Sequence, residues 1–204
     1  MKFTKKMPQT DNEFSEMLLK SGWNKIREPH TMGAAILASL PFAGLSLFLT
    51  YFVIYPFHNL LTPIQQFMAD GLSFSINPLK IFSVLAALYF YVIIHEFLHG
   101  IIIPNFYKSN KTFWGLTVLG GFVVTTEELS KKRFILISIL PYLALTVGTT
   151  IILGFLGALS NLMLFLIIIN ALGSCVDFLN IALIAFQVPN GSKIINNGFE
   201  TFYK

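Results

Sequence analysis

The chain has 204 residues, of which 54% are hydrophobic, 15% aromatic and only 12% charged; its mean hydropathy is +0.68. A soluble globular domain carries about 25% charged residues, so this composition excludes an ordinary soluble protein and indicates an integral membrane protein of one compact domain. The net charge of +4 comes from residues that flank apolar runs, as membrane anchors do, and argues for a lipid bilayer and against nucleic acid as a partner.

Residues 1–32 are polar and charged, without the short apolar stretch and small-residue cleavage site of a signal peptide. Thr10 and Glu13 have capping-box spacing, and Phe14, Met17, Leu18 and Trp23 follow at roughly helical intervals. This predicts an amphipathic helix, either lying on the cytoplasmic membrane surface or docked on the protein itself.

Four apolar stretches are long enough to span, at about 33–57, 79–104, 133–157 and 160–188. Pro41 and Pro141 fall inside the first and third, where a kink is tolerable if neighbours satisfy the freed carbonyl. Segment 58–78 holds no Lys or Arg and reads as an outer loop with a short helix near 63–70. Within the insert 105–132, the centre Thr112 to Thr126 is rich in Val, Thr, Phe and Trp and is split by Gly120-Gly121, which reads as a β-hairpin with a tight turn. Residues 189–204 form a short polar tail. The predicted fold is therefore an all-α polytopic membrane protein of about four transmembrane helices, spanning 33–188, with a short hairpin between the second and third. Lys and Arg cluster in 1–32, in 105–133 and in the tail. The positive-inside rule places both termini and the insert in the cytoplasm, with the chain in the plasma membrane.

The chemistry concentrates in His95-Glu96-Phe97-Leu98-His99. HExxH on a helix puts two imidazoles one turn apart on one face, with a carboxylate able to act as general base on a metal-bound water. Shuffling this composition produces the motif with roughly two chances in a thousand, and its place inside an apolar span makes chance a worse explanation. Of ten acidic residues, only Glu96 and Asp177 lie well inside predicted spans, and no Lys or Arg accompanies them. A shared divalent metal is the simplest compensation: Zn2+ held by His95, His99 and Asp177, with water in the fourth position near Glu96. The other reading of Asp177 is a protonated acid bonded to a carbonyl or a neighbouring helix. On the fourth span, Asn170, Ser174 and Asp177 share one helical stripe. Asn170 and Ser174 are candidates for steadying an oxyanion or positioning substrate, although such residues are more often interhelical glue. Cys175, the one cysteine, reads as a small packing residue and excludes an internal disulfide or a cysteine-ligated zinc finger. His30 and His58 read as exposed loop histidines.

This order of features is similar to the core of site-2 proteases: HExxH on one membrane helix, a cytoplasm-facing β-rich insert, another helix, then an Asp on a final helix. More closely, His95–Gly100, the 112–126 hairpin, Ser130-Lys131-Lys132-Arg133 followed by Pro141, and Asn170 to Asp177 resemble small bacterial membrane proteins described as “putative zincin peptidases”. The resemblance covers about residues 80–185. It implies that His95 and His99 are zinc ligands, Glu96 the catalytic base and Asp177 the third ligand. It departs from site-2 proteases in that no Gly follows Asp177; Phe178 stands there instead. The sequence thus predicts a zinc-dependent, membrane-embedded peptidase acting on membrane or membrane-proximal proteins through Glu-assisted attack of a zinc-bound water. Two alternatives stay open: a non-hydrolytic metal-binding membrane protein, and a small transporter or proton relay using Glu96 and Asp177.

Overall fold

The structure is a computed structural model that describes residues 2–59, 77–117 and 120–204. The short helix expected near 63–70 lies outside the described residues. Among the described residues four helices are long and apolar enough to cross a membrane: Met32–Ile54, Pro78–Ile101, Lys131–Phe155 and Asn161–Gln187. They fall within a few residues of the predicted spans. We label the first three α2, α3 and α4. The fourth is two helices, α5 (Asn161–Gly173) and α6 (Cys175–Gln187), separated at Ser174. A short α1 (Asn12–Lys20) precedes them all.

Each of the four spans starts where a side chain takes an orphan amide. Thr31 accepts from Ala34, Asn77 from Leu79 and Lys80, Ser130 from Arg133, and Ser160 from Met163. Pro78 occupies the first turn of α3, where its missing N–H costs nothing. α1 is capped by Asp11 and not by Thr10; the Thr10 hydroxyl accepts instead from the Phe199 amide. Outward faces of the spans carry large apolar side chains, among them Leu37, Phe48, Phe82, Phe90 and Phe155, each more than half exposed. An apolar surface this extensive fits lipid and not water.

The chain is not purely helical. Among the described residues seven strands form two sheets: β1 (Lys2–Phe3), β2 (Asn24–Lys25), β3 (Thr112–Thr117), β4 (Gly120–Thr125), β5 (Leu129–Ser130), β6 (Lys193–Asn197) and β7 (Glu200–Tyr203). The expected hairpin is β3–β4, but its register pairs Thr117 with Gly120. The glycine pair therefore opens β4 and does not form the turn. β1 adds in parallel to β3, giving the order β1-β3-β4 with β4 at an edge. The second sheet, β2-β7-β6-β5, is built on a C-terminal hairpin. Gly198 has φ +62° at its turn and lies so close to the Thr10 backbone that a Cβ would collide there.

This second sheet ties the helix ends together. β5 leads directly into α4 and pairs with β6. Lys131 Nζ donates to the last carbonyls of α6, Ala185 and Val188. Gln187 and the Arg27 backbone exchange two hydrogen bonds of 2.8 and 2.9 Å. Between sheet and helices, Ile26, Leu129, Phe134, Ile184, Val188 and Ile194 form one buried cluster. α1 docks on the same sheet: Ser15 donates to Glu200, and Asn197 donates to Ser15 and to the Asp11 carbonyl. Of the two readings of the N-terminal segment, the structure has the docked one. Both sheets thus gather where α2 begins, α3 ends, α4 begins and α6 ends.

Candidate metal centre

His95, Glu96 and His99 occupy the last two turns of α3. The i,i+4 spacing turns both imidazoles to one side, with their Nε2 atoms 3.2 Å apart. Asp177, in the first turn of α6, meets them there: Oδ2 lies 3.5 Å from His95 Nε2 and Oδ1 3.4 Å from His99 Nε2. The three side chains are 13, 12 and 15% exposed, enough for one small molecule to approach. The structure thus brings together, at metal-binding distances, the three residues singled out from the sequence.

The hydrogen bonds behind the rings fix their tautomers. His99 Nδ1 is 2.9 Å from the Ile137 carbonyl, which can only accept, so Nδ1 carries the proton. His95 Nδ1 is 2.8 Å from Asn170 Oδ1. The orientation of that amide follows from its other bonds, because Asn170 Nδ2 donates to the Pro141 carbonyl and to Thr146 Oγ1. In the neutral rings both Nε2 atoms then present lone pairs, toward each other and toward the Asp177 carboxylate. Two neutral imidazoles and a carboxylate facing one another in this way form a donor set that a divalent cation would satisfy. The spacing agrees: a tetrahedral zinc with bonds of ~2.0–2.1 Å has ligand–ligand edges of roughly 3.3–3.4 Å. Two neutral imidazoles backed by carbonyl groups and one carboxylate are also the donor chemistry that zinc favours.

Glu96 is 9% exposed and lies under β4. Gly121 faces it so closely that a Cβ would overlap Glu96 Cγ. Beyond Glu96 is an apolar pocket lined by Ile93, Phe97, Phe106, Trp114 and Val123. On the other side of the motif a more polar cavity reaches His99 and Asp177, past Thr125, Ser138, Asn180 and Asn196. Val123 of β4 borders both spaces.

Asn170 and Ser174 do not face substrate space. Both amide hydrogens of Asn170 go to protein acceptors, and Ser174 is fully buried with its hydroxyl donating to the Asn170 carbonyl. Neither has a donor left for an oxyanion. Asn170 instead orients His95, and Ser174 braces Asn170. Cys175 packs against Ser39, with Sγ and Oγ 3.2 Å apart. His30 is exposed as expected, but His58 is half-buried. Three contributors were not legible as site residues: the Ile137 carbonyl, Pro141 and Thr146. A backbone acceptor has no residue-type signature. Thr146 is one of several threonines in α4, though a hydroxyl in an apolar span is a fair signal of an internal partner.

Comparison with known proteins agrees with this geometry. No curated protein and no solved structure matches the chain. One family model does match, over residues 88–193, just over half of the chain. That range contains α3 from Leu88 onward, both strands of the insert hairpin, α4, α5 and α6. The chain belongs to the family described as “Putative zincin peptidase”.

Proposed function

We propose that this protein is a zinc-dependent, membrane-embedded peptidase whose metal is held by His95, His99 and Asp177 and whose general base is Glu96. The observation that carries the reading is the convergence of His95 Nε2, His99 Nε2 and the Asp177 carboxylate, at 3.2–3.5 Å, beside the buried side chain of Glu96. When bound, zinc supplies Lewis acidity, polarising a carbonyl and acidifying a water. The residues of the chain supply the rest. The Ile137 carbonyl and Asn170 keep the Nδ1 protons in place, so both Nε2 atoms stay available as ligands. Glu96 accepts a proton at its carboxylate and returns it to the leaving amine. Its cover of β4 and the neighbouring apolar side chains keep bulk water away.

β4 stands at a sheet edge and borders both spaces flanking the motif. An unwound substrate segment lying along β4 would thread from the apolar pocket to the polar cavity, passing the metal. Substrates are accordingly membrane proteins or membrane-proximal peptides, and both termini lie in the cytoplasm.

The test is Glu96→Gln, with zinc content and cleavage of co-expressed single-span proteins measured on the same variant. The expected result is native zinc content with hydrolysis reduced by at least about 10²–10⁴-fold. Native cleavage by Glu96→Gln would refute the peptidase reading and favour a non-hydrolytic metal protein.

A further inference from the structure

α4 is α-helical from Lys131 to Pro141 and π-helical from Tyr142 to Gly148. The change has a local cause and a distant consequence. Proline lacks an amide hydrogen, so the bond that residue 141 would make to the carbonyl four residues earlier, Ile137, cannot form. The next amide, that of Tyr142, donates to Ile139 instead. The carbonyl freed at Ile137 is the one that accepts from His99 Nδ1. Just past the break, the Pro141 carbonyl and the buried hydroxyl of Thr146 both accept from Asn170 Nδ2, at 3.4 and 2.9 Å. Asn170 then accepts from His95 Nδ1. In an unbroken apolar helix the interior carbonyls are committed to its own amides, with none reserved for an imidazole. Here two imidazoles on α3 take their orienting bonds, one directly and one through Asn170, from one irregular stretch of α4, Ile137 to Thr146.

We propose that Pro141 and Thr146 are positioning residues: Pro141 reserves the Ile137 carbonyl for His99, and Thr146 pins Asn170 for His95. One irregular stretch of α4 thereby fixes the Nδ1 proton and the aim of both imidazoles. The proposal rests on the metal-binding reading above, but its first readout needs no metal.

That readout is the long-range imidazole 15N spectrum of the metal-free native protein, in which His95 and His99 should both be Nδ1–H tautomers. In Pro141→Ala the restored amide competes for the Ile137 carbonyl. His99 should then spread over both tautomers while His95 stays as it was. Thr146→Val should do the reverse. Zinc affinity, measured by competition with a chelator, should fall about 10–100-fold in each variant, the range for loss of a partner behind a ligand. Thermal stability separates positioning from scaffolding. Pro141→Ala removes a helix-breaking residue, so the metal-free variant should be at least as stable as the native chain while binding zinc more weakly. A scaffolding proline would lower both together. Unchanged His99 tautomers and unchanged affinity in folded Pro141→Ala would overturn the proposal, as would an Nε2–H His99 in the native protein. Should Pro141→Ala fail to fold, the native spectrum and Thr146→Val decide. A native chain that binds no zinc would refute the metal reading, whereas the tautomers would still decide the positioning.

Discussion

Gly121 lies against Glu96, with its α-carbon so close that a methyl group there would take the place of Glu96 Cγ. The glycine is thus part of the wall that sets where the carboxylate sits. Its neighbour Gly120, with φ +140°, meets the other glycine requirement, a backbone angle that a side chain rarely tolerates.

Gly121→Ala should therefore displace the Glu96 side chain and leave His95, His99 and Asp177 untouched. Hydrolysis should fall at least tenfold, since misplacing a reacting group by about 1 Å can cost on the order of 10²-fold. Zinc content should stay native. Activity assays and metal analysis on one preparation check this; loss of zinc with activity would show instead that the whole hairpin had moved.

Glu28 joins the approach to α2 with β7, accepting from the Thr201 amide at 2.5 Å and from its hydroxyl at 2.9 Å. Burial pushes its carboxyl up from 4.5 to about 7, against the pull of the Thr201 bonds and Lys25. The folded state thus favours the protonated acid. The stability it contributes is complete below about pH 4.5 and is lost as pH rises through 7. A shift of this size corresponds to a swing on the order of 3 kcal/mol. The difference in melting temperature between the native chain and Glu28→Gln should move in favour of the native chain as pH falls from 8 to 5. A difference that is flat, or that moves the other way, would contradict the assignment.

The proposed orientation rests on the distribution of Lys and Arg, which are absent between residues 58 and 78 and clustered in 105–133. In a Cys175→Ser background, a cysteine at Asn59 should react with an impermeant thiol reagent on intact cells. A cysteine at Asn110 should react only after lysis. The reversed pattern would invert the topology.

The four spans were readable because about twenty apolar residues in a row have few other uses. The HExxH motif and Asp177 were readable because ionisable groups are rare in such runs. The insert hairpin was readable from its β-branched and aromatic content, but its turn was not, since Gly120 and Gly121 serve close packing on Glu96 and an unusual φ. The C-terminal hairpin had a sequence signal too: Asn197-Gly198 between Ile194-Ile195 and Phe202-Tyr203. The two-residue strands β1, β2 and β5 have no such signal, because pairing partners far along the chain impose them. Which of the two readings Asn170 and Ser174 take was not readable either, for a related reason. Helical periodicity puts a side chain on a face, whereas its remaining donors depend on Pro141, Thr146 and the carbonyls that the break in α4 exposes.

His95, His99 and Asp177 are proposed to bind zinc jointly. X-ray absorption at the zinc edge on detergent-purified protein addresses that joint ligation directly. About one zinc per chain is expected, with two imidazoles and oxygen donors at ~2.0–2.1 Å and no sulfur. One oxygen donor should be lost in Asp177→Ala, and the metal itself in the doubly substituted His95→Ala/His99→Ala protein. Zinc content and imidazole scattering that survive the double substitution unchanged would contradict it.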